Sequence, residues 1–241
     1  MSLDALVAHR EAHLTAYQDA AYAARYRKLV DMTRDAEHRL VGDGAALALT
    51  EAVAFGYAKL LAYKDEYEVA RLFTDGRFAE QLRETFDGAL RLSFHMAPPL
   101  LARADASGRT RKITLGPWLM SAMKLLAKAK GLRGSRFDIF GRTAERRMER
   151  ELAEAYPRLI TALLGKLDRE SLADAIALAD LPRSLRGYGH VKHAALHKVA
   201  ARESRLVGRF AIEPVFAKAL ERLPPLAQNQ AFKGIPVVTG K

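Results

Sequence analysis

The chain has 241 residues, 49% hydrophobic and 28% charged, with no cysteine and a net charge of +11. That is length enough for one large domain or two small ones, and the balance is that of a folded globular protein rather than a disordered one. Without cysteine there are no disulfides, no thiolate zinc sites and no cysteine-ligated iron–sulfur clusters in the chain. No apolar run approaches the roughly 18 residues of a membrane span. The stretch from Met1 to His13 lacks the basic-then-apolar pattern of a secretory signal. A cytoplasmic chain that makes no membrane contact is expected.

The apolar spacing predicts a mainly α fold, with a long antiparallel helical hairpin and at most a small β-ribbon. From Leu3 to about Leu40, Leu6, Leu14, Tyr17, Tyr22, Tyr26, Leu29 and Val30 recur mostly every three or four residues, as on one face of a long helix. Gly42-Asp43-Gly44 stops it, and a second helix from about Ala45 to Phe73 carries Val53, Tyr57, Leu60, Leu61, Tyr67 and Leu72. The short connection makes the pair an antiparallel hairpin.

Asp75-Gly76 is a turn, followed by a short helix from Arg77 to Phe86. Leu90, Leu92, Phe94 and Met96 then alternate with polar residues, as a half-buried strand does. After the loop from Pro98 to Gly108, Thr110 to Leu115 supplies an antiparallel partner. Gly116-Pro117 opens a helix from Trp118 to about Lys130, and Trp118, with its large apolar area beside Leu119 and Met120, is expected to be buried. Thr143 caps a helix to about Leu167 with a bend at Pro157. Asp168 caps another to Ala179, ended by Pro182, and one more runs from Tyr188 to Phe210. The prediction is a helical domain over residues 1–211 and a proline-containing, partly mobile tail over 212–241.

The charge is unevenly placed. Residues 1–120 hold 16 basic and 16 acidic side chains, so the other 23 of 39 basic and 12 of 28 acidic ones carry the whole excess. Between Lys124 and Arg150, nine basic residues face three acidic ones, in a loop punctuated by Gly131, Gly134 and Gly141. Backbone amides and guanidinium forks of this kind bind phosphate. The segment matches neither a P-loop nor a dinucleotide fingerprint nor a nucleic-acid module.

Three other patterns attract attention. Gly42-Asp43-Gly44 resembles the motif whose aspartate holds magnesium in thiamine diphosphate enzymes, but the sole asparagine is Asn229, and a charged helical stretch precedes it where an apolar strand is needed. A helix stop is the better reading. His190, His193 and His197 share one helix face, yet the nearest carboxylate is Glu203, and no metal site is expected. His9 and His13 offer still less. No Ser-His-Asp arrangement and no carboxylate couple stands out.

A resemblance goes further. The string LLAYKDEYEVARLFTDGRF (Leu60 to Phe78) resembles the C-terminal region of indolepyruvate ferredoxin oxidoreductases. So, in order, do LSFHMAPPLLAR (Leu92 to Arg103), GPWL (Gly116 to Leu119), KGLRGSRFDIFGRTAERRMERELAEAY (Lys130 to Tyr156) and LRGYGHVK (Leu185 to Lys192). LTAYQDAAYAARYR (Leu14 to Arg27) is similar to the same region. The resemblance implies a fused enzyme that oxidatively decarboxylates 2-oxoacids to acyl-CoA, using thiamine diphosphate, magnesium, iron–sulfur clusters and ferredoxin. In that family the cofactor domains lie upstream of this region. None of their cofactor residues maps onto a position here, so no cofactor is expected in this chain itself. It reads as an excised fragment or a separately encoded remnant, and Met1-Ser2 leading straight into the pattern favours the fragment.

The expected role is a non-catalytic structural or assembly domain. It packs on catalytic domains or subunits of the same oxidoreductase, or across a homodimer. A rival reading has the basic loop contact CoA phosphates or a partner through Lys130, Arg133, Arg136, Arg142, Arg146 and Arg147. An independent nucleic-acid binder rests on charge alone. If the loop is a contact surface, replacing Arg133 and Arg136 by alanine should leave stability nearly unchanged.

Overall fold

The structure is a computed structural model in which residues 1–88, 92–96, 113–187 and 189–223 are described. The expected loop from Pro98 to Gly108, Tyr188, and Pro224, Pro225, Asn229 and Pro236 lie outside the described residues. Among those described, the fold is mainly α: ten helices and one two-stranded antiparallel sheet. No helix there is long and apolar enough to cross a membrane.

The first expected helix is in fact two, α1 (Leu3–Tyr17) and α2 (Ala20–Val41). The break falls at Asp19, whose backbone is extended and whose carboxylate accepts the Tyr22 amide at 2.7 Å. Such a cap is worth about 1 kcal/mol to the helix it starts, whereas the apolar period reads straight through it. The second expected helix divides the same way. Helix α3 (Ala48–Leu61) ends at Ala62, and α4 (Glu66–Thr74) starts from Asp65, which accepts the Glu68 amide at 2.8 Å. Four segments therefore replace the two-helix hairpin, with α1, α2 and α3 packed on one another. Gly42 and Gly44 end α2 at φ +84° and +78°, values that favour glycine. Asp43 lies in solvent, 3.2 Å from His38 Nδ1, so the triplet is a helix stop.

Helices α7 (Ala144–Leu164), α8 (Leu172–Ala179) and α9 (His190–Phe210) complete the main core. Thr143 caps α7 as expected, accepting the Arg146 amide at 3.2 Å, and the helix runs through Pro157. Tyr57 of α3 stacks on Tyr156 of α7, ring centroids 5.8 Å apart, and the Tyr156 hydroxyl donates to the Ala179 carbonyl at 2.6 Å. Gly56 permits that approach: a Cβ there would lie 2.8 Å from the Tyr156 hydroxyl and 2.9 Å from the Ala179 oxygen. Residues 212–223 follow α9 and pack in part on the main core through Ile212, Val215, Leu220 and Leu223. They form α10 (Phe216–Glu221), with Phe216 fully buried. Buried Glu203 holds this helix by accepting the Val215 and Ala217 amides at 2.5 and 2.9 Å.

A smaller apolar cluster lies around α4. Strands β1 (Phe94–Met96) and β2 (Ile113–Leu115) pair in register Phe94 to Leu115. A ribbon this short needs a support, and Phe94 finds it on Ala70 of α4 and Met123 of α6 (Leu119–Lys128). Helix α5 (Arg77–Thr85) follows α4 as expected and touches it through Phe78 against Phe73. Trp118 departs from expectation: it is 62% exposed. Helix α6 turns Leu119, Met120, Met123, Leu126 and Ala127 toward the cluster, and Trp118 lies off that face, with Ala122 and Leu125.

Glu37 of α2 is fully buried and accepts the Leu49 and Thr50 amides at 2.8 Å each and the Thr50 hydroxyl at 2.7 Å. It caps α3 from a neighbouring helix. Glu37→Ala strands those donors in a dry place and should cost about 3 kcal/mol in urea unfolding; a loss under about 0.5 kcal/mol would show that water replaces the carboxylate.

Candidate functional site

The basic segment between α6 and α7 opens with a 3₁₀ turn (Ala129–Leu132) and is held down at two places. The first is Arg133, whose side chain is only 4% exposed. Its Nε and Nη2 donate to Asp65 at 2.5 and 3.0 Å, and Nη1 donates to the Tyr17 carbonyl at 2.8 Å and to Gln18 Oε1 at 2.7 Å. The guanidinium carbon lies 3.7 Å from the Tyr17 ring centroid. Helix α1 has no basic residue in its last turn, so its terminal carbonyls take donors from this loop. Lys130 supplies another, donating to the Ala16 carbonyl at 2.7 Å. Burial, with Arg133 and Arg71 nearby, holds the Lys130 ammonium below its ordinary pKa.

The second anchor is Asp138, also buried. Its carboxylate accepts the Gly134 and Gly141 amides at 2.8 and 2.9 Å and lies 3.4 Å from the Tyr67 hydroxyl. Burial and then the Asp138 charge push the Tyr67 phenol up to about 12. Below it, burial raises Glu68, but hydrogen bonds from Arg71 and His13 outweigh that and hold it down at about 2. Arg146 is turned away from the loop, toward Glu149 at 2.7 Å and Glu66 at 3.8 Å.

The remaining arginines converge. Arg136, Arg142, Arg147 and Arg150 line one pocket of about 330 Å³, with Ser135, Asp138 and Gly141. Arg142 donates to the Arg136 carbonyl at 3.3 Å, Arg147 to the Arg142 carbonyl at 2.7 Å, and Arg150 to the Gly141 carbonyl at 2.6 Å. Among the described residues no carboxylate pairs with Arg136, Arg142 or Arg147 (compare the many paired arginines elsewhere). Arg147 and Arg150 also line a larger groove of about 1220 Å³ along α7.

Of the six basic residues singled out from sequence, then, Arg136, Arg142 and Arg147 are brought together. Lys130, Arg133 and Arg146 are engaged elsewhere. Arg150 was missed, although it lies three residues beyond Arg147 and so shares its helix face. An apolar surface was missed as well. Trp118, Ala122 and Leu125 form an exposed stripe on α6, Leu125 being 73% exposed, and Leu132, Phe137 and Ile139 of the loop are exposed too.

Elsewhere, the His193 and His197 rings lie 5.0 Å apart, the His190 side chain is outside the described residues, and Glu203 is occupied with α10. Among the described residues no three metal-binding side chains come together.

Residues 3–205, nearly everything from α1 through α9, match the model of a family of unknown function. The chain belongs to the DUF6537 family. No curated protein and no solved structure matches it. The two anchors and the arginine pocket of this DUF6537 chain all fall inside the matched residues.

The geometry divides neighbouring arginines sharply. Arg133→Ala leaves Asp65 charged, buried and unpaired, and should destabilise the chain by about 3–5 kcal/mol. Arg136→Ala, whose guanidinium lies over the exposed Phe137 ring, should stay within about 0.5 kcal/mol. Chemical denaturation of the two single variants distinguishes them, and equal effects would contradict the assignment.

Proposed function

We propose that this DUF6537 chain is a non-catalytic assembly domain of a 2-oxoacid:ferredoxin oxidoreductase of the indolepyruvate type. The parent enzyme oxidatively decarboxylates 2-oxoacids to acyl-CoA, with thiamine diphosphate, magnesium and iron–sulfur clusters held by other domains or subunits. The observation that carries the reading is the exposed apolar stripe Trp118, Ala122 and Leu125 on α6. A helix that turns one apolar face to its own core and a second to water is built to be covered. Large aromatic side chains are enriched at the energetic centres of interfaces.

The occupant proposed for this face is the catalytic part of the same oxidoreductase. The strings that resemble that enzyme's C-terminal region include Trp118 and Leu119 in one case, and Leu132, Phe137 and Ile139 in another. They thus contribute exposed apolar side chains as well as core. The stripe is on the outer side of the helix that packs on the smaller cluster, whose buried members among the described residues are Ala70, Phe94 and Met123. Covering α6 would add apolar burial where the chain has least, at about 25 cal/mol per Å² removed from water.

The test is co-purification of the tagged chain with the thiamine-diphosphate-binding subunits of its own host. The chain should bring those subunits with it, and its single tryptophan should shift to bluer emission on assembly. Trp118→Ser with Leu125→Ser should reduce recovery about tenfold or more, with thermal stability unchanged. Recovery without oxidoreductase subunits, or equal recovery by the double variant, contradicts the reading.

A further inference from the structure

We infer that the pocket formed by Arg136, Arg142, Arg147 and Arg150 is a binding site for the diphosphate group of a small anion. The inference stands apart from the assembly reading, because it uses different residues.

Four arginines line a volume of about 330 Å³, and the single acidic residue of the lining is Asp138. Asp138 is already engaged by the Gly134 and Gly141 amides. Arg150 lies 3.9 Å from it, whereas Arg136, Arg142 and Arg147 have no carboxylate partner among the described residues, and like charges so gathered repel one another, at a cost that an incoming anion removes. Each of Arg142, Arg147 and Arg150 uses one N–H on a backbone carbonyl. Five donors per guanidinium leave the rest of the Arg142 and Arg147 forks without another partner among the described residues, whereas Arg150 also faces Tyr63 and Asp138. The carbonyl bonds hold the side chains in place before a ligand arrives, which lowers the entropy lost on binding.

The formal charge selects the ligand class. Four arginines against one aspartate give a lining of +3. A carboxylate would leave most of that charge unanswered. One phosphate brings about −1.5 to −2 at neutral pH, and a second phosphoryl group brings the total close to balance. Planar forks also match phosphoryl oxygens two at a time, which gives geometry as well as charge. Two of the four arginines, Arg147 and Arg150, also line the larger groove along α7. That groove, also lined by Glu151, Glu154 and Arg158, is the place for an organic remainder attached to the diphosphate.

Lys130, Arg133 and Arg146 are not part of this site. Their donors are turned to the end of α1, to Asp65 and to Glu149. That separation makes the inference testable without unfolding the chain, since Arg142 and Arg147 are exposed and, among the described residues, bond only to carbonyls in the loop.

The experiment is calorimetric titration of the full chain with inorganic pyrophosphate and, separately, with a nucleoside diphosphate, at low and at physiological ionic strength. Pyrophosphate should bind saturably at one site per chain. Arg142→Ala with Arg147→Ala should weaken binding tenfold or more without lowering the melting temperature. Arg27→Ala with Lys28→Ala removes the same charge at residues that do not line the pocket and should change binding less than twofold. Should the double pocket variant prove unstable, Arg136→Ala alone carries the test, with a smaller loss in the same direction. Tighter binding of the nucleoside diphosphate would place the organic part in the groove, whereas equal binding would mark a site for the free inorganic anion. Three results overturn the inference: no saturable binding, equal losses in the pocket and control variants, or displacement by generic duplex DNA with a steep salt dependence. The last would show a nucleic-acid surface instead.

Discussion

A guanidinium that leaves water must find both a counter-charge and acceptors inside the protein, or it destabilises whatever encloses it. Arg133 meets that requirement with Asp65, the Tyr17 carbonyl and Gln18. The constraint reaches beyond one ion pair. Asp65 is also the cap of α4, and Tyr17 is both the last residue of α1 and a hydroxyl donor to the Tyr63 carbonyl at 2.8 Å. The end of one helix, the start of another and the basic loop thus meet at a single side chain. Asp138 repeats the principle a few residues on, drawing the Gly134 and Gly141 amides onto one carboxylate. Between the two anchors, the stretch from Gly134 to Phe137, which would otherwise be costly to order, is tied at both ends.

That anchoring gives the exposed part of the loop its meaning. Arg136, Arg142 and Arg147 are presented together because Arg133 and Asp138 hold the backbone beneath them. On either side of Asp138, Phe137 and Ile139 face solvent, and the Arg136 guanidinium carbon lies 4.6 Å from the Phe137 ring centroid. Charged and apolar contact surfaces thus share one rigid support.

Much of the fold was legible in the sequence. Thr143 before an apolar period, the glycines after α2 and the alternation leading to β1 each state their structure through local chemistry. The breaks at Asp19 and Asp65 were not read, because the apolar period continues across both and a cap is a single residue in a long pattern. Trp118 was misread for a related reason. Its size argues for burial, but whether α6 turns it inward depends on where α4 and Phe94 lie, which is a tertiary fact. The basic loop is the plainest case. Arg133 and Arg136 look alike in sequence, three residues apart among glycines. What separates them is an aspartate 68 positions away. Only the assembled fold distinguishes the arginine that holds the loop from those that face outward, and it also shows Glu203 accepting the Val215 and Ala217 amides.

The account turns on whether Arg133 and Asp65 stabilise the chain as a pair. The most direct measurement is a double-mutant cycle with Arg133→Met and Asp65→Asn, followed by urea unfolding of the full chain. Asparagine keeps a capping oxygen for α4, so the cycle isolates the ionic contact. The expected result is a coupling of about 2–3 kcal/mol, with the double variant more stable than the two separate losses would imply. Additive losses, within about 0.5 kcal/mol, would mean that the two side chains act independently and that the loop is held by something other than this pair.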